Sequence, residues 1–252
     1  MTTDFSVPSD WYLTFFTAPV MRFWEAAVPP AATEADVAFI RRHAGLQPSA
    51  AILDVPCGAG RHALALARAG FHVTGVDGSK PALERAIAIA EAERLRARFV
   101  CSDMLEFEVD APADALVCMG NSLGYFEPAL TVKLLRRFAG ALRVGGRLII
   151  DTSMCAESLL PLASERSFSF PGGTYEQEMA YDAAQSILKT RAHLTLAGER
   201  HELRYRHFVM TSGEFVRSVR AAGFELRGLF GDTQDAAYAP GSPRLLLVAQ
   251  RV

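Results

Sequence analysis

Short apolar runs alternate with amphipathic segments of helical spacing through the middle of the chain. The apolar runs predict strands at 51–55, 72–76, 98–101, 114–119 and 147–151. Helices are predicted between them at about 60–69, 80–96 and 128–142. Ser79 is placed to cap the second helix, Pro128 opens the third, and Gly145-Gly146 end it. Alternating strands and helices are typical of a parallel sheet covered on both faces.

The hydrophobic pattern changes its period after Met154. From about 166 to 210, apolar and polar residues alternate, with Leu188, Thr190, Ala192, Leu194 and Leu196 on one face and Lys189, Arg191 and His193 on the other. This alternation predicts antiparallel strands with one wet face, and a turn near Ala197-Gly198. A helix at 212–222 and strands at 224–230 and 244–250 follow. The last two strands should be antiparallel, because their connection is too short for a crossover helix.

The first thirty residues are rich in aromatic side chains, ahead of a short amphipathic helix at 33–43. These side chains are Phe5, Trp11, Tyr12, Phe15, Phe16, Phe23 and Trp24. They predict a helical cover (1–44) on an α/β core (45–154 and 211–252), with 155–210 as an antiparallel β insertion that closes over an acceptor.

Composition and charge limit the functional class. The chain has 252 residues, half of them hydrophobic, which fits one domain with a large core. A net charge of −2, from 28 acidic and 26 basic residues, argues against a dedicated nucleic-acid binder. No signal peptide or apolar run of about 18 residues is visible, so we expect a soluble, cytoplasmic protein without membrane partners. Its oligomeric state is not predicted.

The four cysteines are Cys57, Cys101, Cys118 and Cys155, without a CxxC pair. We expect reduced thiols and no metal site.

The candidate ligand-binding residues follow the carboxyl ends of the predicted strands, which we call the strand tips. Ligands of open α/β sheets bind beyond these ends. The first tip runs from Asp54 to Arg61, where Gly58 and Gly60 let a ligand approach the backbone. The helix that follows offers N–H groups to an anion, and Asp54 offers the opposite charge. A loop that offers both charges suits a zwitterion, such as the amino-acid end of S-adenosylmethionine (SAM).

The next two tips also carry acidic residues. Asp77 follows the second strand and can accept from two ribose hydroxyls. Asp103 follows the third strand and can accept from an exocyclic amine, while Met104 can lie on an adenine ring.

Together these segments resemble a class I SAM-dependent methyltransferase over nearly the whole chain. They are DVPCGAGRHALALA (54–67), VTGVDGS (73–79), CSDM (101–104) and the antiparallel ending. GNSLGYF (120–126) and the β insertion further resemble small-molecule N-methyltransferases of the glycine-methylating and amino-sugar or antibiotic-modifying type. The resemblance implies a doubly wound, mostly parallel seven-stranded sheet of the Rossmann-like methyltransferase type. It also implies methyl transfer to a small-molecule acceptor, with an amine favoured and S-adenosylhomocysteine (SAH) as product.

The resemblance also implies a set of cofactor-binding residues. They are Tyr12, Asp54, Pro56, Cys57, Gly58, Gly60, Arg61, Asp77, Gly78, Ser79, Ser102, Asp103, Met104, Met119, Gly120 and Asn121. Pro56 departs from the family's usual glycine, but it keeps the carbonyl that accepts from the SAM ammonium there.

Three residues are candidates for the chemical step. Tyr125 follows the fourth strand tip and should lie beside the transferred methyl group, and Tyr12 can cover the sulfonium through cation–π attraction. His207 is either a general base or a buried structural histidine. Cys57 is a packing residue or a nucleophile, and Arg61 either has a carboxylate partner or is solvated.

Two alternatives stay open at this point. Residues 58–63 also fit GxGxxA, and Asp77 lies near the spacing of a dinucleotide-binding acid, so an NAD(P)-binding oxidoreductase is possible. Asp54 would, however, repel a pyrophosphate. The other alternative is a catalytically silent SAM-binding module that acts through a partner.

Overall fold

A computed structural model describes residues 6–252, so Phe5 of the predicted cover lies outside the described residues. The strands are β1 (Ala51–Asp54), β2 (His72–Asp77), β3 (Ala97–Cys101), β4 (Ala113–Cys118), β5 (Leu142–Thr152), β6 (Glu165–Phe170), β7 (Gly173–Asp182), β8 (Ile187–Leu196), β9 (Glu199–Phe208), β10 (Phe224–Phe230) and β11 (Leu245–Arg251). The helices are α1 (Tyr12–Phe15), α2 (Ala18–Ala27), α3 (Pro30–His43), α4 (Arg61–Arg68), α5 (Lys80–Ala92), α6 (Pro128–Ala141), α7 (Ala156–Leu159) and α8 (Ser212–Ala221).

The central sheet has seven strands in the order β10-β11-β5-β4-β1-β2-β3. Neighbouring strands are parallel among β5, β4, β1, β2 and β3. Strand β11 is antiparallel to both of its neighbours, β5 and β10. The predicted mostly parallel, seven-stranded sheet is therefore confirmed, and so is the antiparallel final pair.

Helices cover both faces of this sheet. Phe39 and Ile40 of α3 and Leu66 of α4 are buried on one face, against residues such as Ile52. On the other face α6 and α8 bury large side chains such as Phe138 and Phe215. The doubly wound arrangement places the carboxyl ends of the parallel strands β1 to β5 at one edge of the sheet. Within residues 6–252, no helix is long and apolar enough to cross a membrane.

Strands β6 to β9 form a separate antiparallel sheet. Its β8–β9 hairpin turns at Ala197 and Gly198, which have φ of +51° and +86° and match the twist of a tight hairpin. The predicted apolar face is buried. On this face Tyr175 stacks on Phe23 of α2, with ring centroids 4.7 Å apart, so the sheet and the cover pack as neighbours.

One predicted capping hydrogen bond and one predicted helix end differ from the structure. Ser79 stands at the N-cap position of α5, but its hydroxyl donates to the Phe16 carbonyl at 3.4 Å instead of capping the helix. The helix α6 ends at Ala141 and β5 begins at the next residue, so Gly145 and Gly146 lie inside a strand. Gly146 is needed there because a Cβ would meet the Arg143 carbonyl at 2.8 Å.

Candidate cofactor and acceptor site

The glycine loop joins β1 to α4 at the centre of the sheet edge. Gly58 and Gly60 have φ of +54° and +79°, in the left-handed region that favours glycine. A Cβ at Gly60 would also lie 3.0 Å from the Ala86 Cβ. Pro56 stands at the start of this loop. Burial, with the charges of Asp54 and Asp77, raises the pKa of the Cys57 thiol well above its ordinary value, which favours the packing interpretation of that cysteine.

Asp54 lies beneath this loop and is almost fully buried. Its Oδ2 accepts from the Ala63 N–H at 3.0 Å, while Oδ1 has no hydrogen-bond partner among residues 6–252. Burial raises the pKa of this carboxyl to about 7, with Asp77 adding to the rise and the Ala63 N–H and Arg61 opposing it. An unpartnered buried carboxylate oxygen is a fitting acceptor for the ammonium of SAM.

Asp77 connects the first two strand tips. Its Oδ2 accepts from the Gly58 N–H at 2.7 Å and its Oδ1 from the Ser79 N–H at 2.8 Å. Burial raises the pKa of Asp77, and these two backbone donors lower it. A carboxylate has about four lone-pair sites, so Asp77 retains the capacity to accept from ribose hydroxyls. Gly78, between these residues, lies against the third tip, where a Cβ would be 4.0 Å from the Ser102 carbonyl.

The third tip lies beside the second one. The Ser102 N–H donates to the Asp77 carbonyl at 3.0 Å, and Asp103 Oδ1 accepts from the Leu105 N–H at 2.8 Å. Met104 is buried in the core on the α6 and α8 face of the sheet. Burial raises the pKa of Tyr12, and the charge of Asp103 adds to the rise, so the cover and the third tip are neighbours.

The fourth tip is anchored to the end of β5. Gly120 and Asn121 both have left-handed φ angles, +84° and +73°. The Asn121 side-chain oxygen accepts from the Ser153 N–H at 2.6 Å, and the Gly120 N–H donates to Asp151 at 3.3 Å. Met119 packs on the α3 and α4 face of the sheet.

A cluster of aromatic rings, which we call the aromatic roof, lies beside these tips. Tyr125 stacks on Tyr12 with centroids 5.7 Å apart, and Trp11 meets the edge of Tyr125 at 4.9 Å. The His207 ring lies 5.7 Å from both Trp11 and Tyr125. The members come from the cover, from the 3₁₀ turn Ser122–Tyr125 and the residue after it, and from β9: Trp11, Tyr12, Phe15, Phe16, Tyr125, Phe126, Tyr205 and His207.

The aromatic roof therefore brings together all three predicted catalytic residues. Two other aromatics of the cover lie elsewhere, since Phe23 packs on the antiparallel sheet and Trp24 is 46% exposed. Burial lowers the pKa of His207 to about 4, so the imidazole is neutral at pH 7.

The comparisons with known proteins agree with this geometry. A family model described as a methyltransferase domain matches residues 52–146, which contain the glycine loop and the first four strand tips. The chain is a SAM-dependent methyltransferase.

Relatives match across most of its length. A cypemycin N-terminal methyltransferase from Streptomyces sp. is 28% identical over 225 residues, covering 85% of this chain and 88% of that one. A dTDP-3-amino-3,6-dideoxy-alpha-D-glucopyranose N,N-dimethyltransferase from Streptomyces fradiae is 25% identical, covering 82% and 81%. The CcbJ methyltransferase of Streptomyces caelestis has the same fold, with a TM-score of 0.82 and 16% identity over 98% of this chain and 100% of that one. These matches set aside the NAD(P)-dependent oxidoreductase.

The methyltransferase also contains a charged network that the sequence did not predict. Asp36 of α3, only 3% exposed, accepts from Arg61 at 3.1 Å, His62 at 3.0 Å and Arg244 at 2.8 Å. Burial opposes the ionisation of Asp36, but its bonds to His62 and Arg244 hold its pKa well below the usual range. Arg61 therefore has a carboxylate partner, Asp36, and is not the solvated arginine that was the other expectation. Within residues 6–252, no group of three His, Cys, Asp or Glu side chains could hold a metal ion.

One signal in the sequence could have indicated this network. Asp36 stands beside Val37 and four residues before Ile40, among the buried positions of α3. A carboxylate on a buried helix face normally has cationic partners. Arg244 follows 208 residues later, so the sequence alone does not identify it as the partner.

Proposed function

We propose that this methyltransferase transfers the methyl group of SAM to the nitrogen of a small-molecule amine. The observation that carries the proposal is the charge around the aromatic roof. Burial is the main cause of the raised pKa values of Tyr12 and Tyr125, and nearby acidic groups add to the rise. These groups are Asp103 and Asp10 at Tyr12, and Asp77, Cys118 and Tyr205 at Tyr125. Aromatic faces in a negative field favour a sulfonium and an amine over an anionic acceptor. The names of two relatives, an N-terminal and an N,N-dimethyltransferase, support the choice of nitrogen.

The strand tips would hold the cofactor from three sides. Asp77 accepts from the ribose hydroxyls, and Asp103 accepts from the adenine amine with Met104 near the ring. Asp54 and the Pro56 carbonyl accept from the ammonium, and the N-terminus of α4 receives the carboxylate. The other members of the predicted set line the backbone around these groups: Cys57, Gly58, Gly60, Arg61, Gly78, Ser79, Ser102, Met119, Gly120 and Asn121. The bound cofactor supplies a methyl group already activated on sulfur.

The aromatic roof would hold the acceptor. Tyr12 and Tyr125 present ring faces beside the methyl group, and the neutral His207 accepts a hydrogen bond from the amine N–H. This contact directs the nitrogen lone pair at the methyl carbon. The methylated nitrogen keeps its proton until the product leaves, because an imidazole with a pKa of about 4 is too weak a base to take it. Holding the two reactants in line contributes up to about 7–11 kcal/mol to the lowering of the barrier. The cover, the 3₁₀ turn and the antiparallel sheet together exclude water.

The test begins with the cofactor and then identifies the methylated atom. Calorimetry should show binding of SAM and SAH but not of NAD or NADP. Labelled SAM is then offered to a panel of amines and matched phenols, and mass spectrometry locates the new methyl group. We expect transfer to amines. Transfer to phenols alone would exclude N-methylation, and SAM binding without transfer to any acceptor would favour the catalytically silent module.

A further inference from the structure

Two ring nitrogens inside the aromatic roof have no hydrogen-bond partner among residues 6–252. They are Trp11 Nε1 and His207 Nδ1, from the cover and from β9. Trp11 is 5% exposed and His207 is 7% exposed, so neither side chain is freely hydrated. A buried polar atom without a partner is unfavourable. Two of them in neighbouring rings indicate a place where a polar group of a ligand is received.

The chemistry of the two nitrogens selects the ligand group. An indole N–H only donates, whereas a neutral imidazole nitrogen donates or accepts according to its tautomer. A hydroxyl group has one donor and two acceptor lone pairs, so it can pair with Trp11 and with either tautomer of His207. The two ring centroids lie 5.7 Å apart. The two rings are therefore neighbours, and one hydroxyl group between their unpartnered nitrogens would meet the donor and acceptor needs of both.

The surrounding charges argue against a carboxylate as this ligand group. Tyr12 and Tyr125 contact Trp11 directly. Burial raises the pKa values of both tyrosines, and nearby carboxylates, Asp103 at Tyr12 and Asp77 at Tyr125, add to the rise. The same acidic groups would repel the carboxylate of an amino-acid acceptor. They would attract an amine that carries a hydroxyl group and no carboxylate.

We propose that Trp11 and His207 bind a hydroxyl group of the acceptor, and that the enzyme therefore prefers amino alcohols without a carboxylate. This inference rests on the proposed N-methylation, and it makes Trp11 a residue that determines specificity. The His207 ring would then form hydrogen bonds with both the hydroxyl group and the neighbouring amine of the acceptor.

The test compares two probes that differ only in the hydroxyl group, trans-2-aminocyclohexanol and cyclohexylamine, with glycine as the carboxylate probe. Calorimetry measures their binding to the SAH complex, and labelled SAM measures transfer. We expect the wild type to bind the amino alcohol at least about tenfold more tightly than cyclohexylamine. Glycine should bind more weakly than either.

Trp11→Phe keeps an aromatic ring but removes the N–H donor. It should abolish the preference for the amino alcohol, measured as the ratio of its affinity to that of cyclohexylamine, and leave SAM binding within about twofold. The matched control is Trp24→Phe, since Trp24 belongs to the same cover and is 46% exposed. This control should leave every measurement unchanged.

Several results would overturn the inference. They are equal binding of both probes by the wild type, no binding of the amino alcohol, or a preference that survives in Trp11→Phe. If thermal melting shows that Trp11→Phe does not fold, the comparison of probes on the wild type decides. Methylation of amines without a hydroxyl preference would refute the inference alone. A hydroxyl preference in binding, without methylation of any amine, would refute the proposed function alone.

Discussion

The buried carboxyl of Asp54 makes cofactor binding depend on pH. Its pKa of about 7 in the free protein is raised from 3.8, chiefly by burial, and a bound ammonium would lower it again. SAM affinity should therefore rise about tenfold per unit between about pH 5 and 7 and level off above. Because the pKa of Asp54 is 3.8 in the unfolded chain and about 7 in the folded free protein, the free energy of unfolding should fall as the pH rises from about 4 to 7.

Calorimetry across this pH range checks the prediction. Asp54→Asn should remove most of the slope, while Asp110→Asn, at a side chain that is 82% exposed, should preserve it. An unchanged slope in Asp54→Asn would exclude pairing with the ammonium.

Asp77 is expected to bind the ribose, but it also holds the Gly58 and Ser79 N–H groups. Asp77→Asn is therefore a cleaner change than alanine, because it keeps one acceptor oxygen. Loss of charge-assisted bonds should cost about 1.5–3 kcal/mol, a fall in SAM affinity of roughly tenfold to a hundredfold. Asp182→Asn is the control, since Asp182 also accepts two backbone N–H groups, in an exposed turn. Equal SAM affinity in a folded Asp77→Asn protein would contradict the ribose role.

Some of this site follows from single residues in the sequence and some does not. Asp54, Asp77 and Asp103 were predicted because each directly follows an apolar strand, and parallel strands end at one edge. Trp11 could be placed only within an aromatic segment, because its neighbours Tyr205 and His207 lie almost two hundred residues away. Contacts of that sequence separation depend on how the cover packs, which periodicity does not encode.

Among the elements, the 3₁₀ turn and β9 make a close contact that can be tested. A Cβ at Gly124 would lie 3.1 Å from His207 Cδ2 and 3.4 Å from the Met154 Cβ. Gly124→Ala should displace the imidazole and lower transfer at least about tenfold, with SAM affinity within about twofold and a loss of stability of about 1–3 kcal/mol.

Gly140→Ala is the control, because Gly140 lies in α6 with no atom within 4 Å of its would-be Cβ. It should be neutral, or stabilising by about 0.5–1 kcal/mol. Unchanged transfer in Gly124→Ala would show that the position of His207 does not matter.

The antiparallel sheet should supply acceptor binding but not cofactor binding. Leu162 and Val209 pack in one cluster, so a short Gly/Ser linker can replace the residues between them. Phe23→Ser removes the aromatic ring that this deletion would expose to water, and the same substitution in the full chain is the control. SAM binding should stay within about tenfold, or ~1.4 kcal/mol, while transfer is lost. If transfer continues at the same rate, the sheet is better explained as an oligomer interface, which a change in solution mass would reveal.

The elements themselves were predicted well where one physical rule acts alone. Period-two alternation identified the antiparallel sheet because one of its faces is buried and the other is wet. Gly145 and Gly146 of β5 were misassigned because a glycine ends a helix as readily as it relieves crowding in a strand. A Cβ at Gly146 would also lie 3.2 Å from the Asp114 carbonyl of the neighbouring strand, and that tertiary contact is not visible in the sequence.

At the scale of the whole molecule, a bound cofactor should raise the free energy of unfolding. SAM or SAH at about one hundred times its dissociation constant should add ~2.7 kcal/mol to the free energy of unfolding. NAD and NADP should add nothing, since no pyrophosphate would be tolerated beside Asp54. Thermal melting with each ligand measures the difference, and stabilisation by NAD without stabilisation by SAM would contradict the assignment.

The position of α2 has a consequence for kinetics. Met21 lies 3.8 Å from the place of a Gly58 Cβ, Glu25 pairs with Arg85 of α5 at 2.8 Å, and Phe23 packs on the antiparallel sheet. One helix therefore borders both the cofactor loop and the sheet that would bind the acceptor. We expect a compulsory order in which SAM enters first and SAH leaves last. Inhibition by SAH should then be competitive toward SAM and noncompetitive toward the amine, and the first turnover should be faster than those that follow.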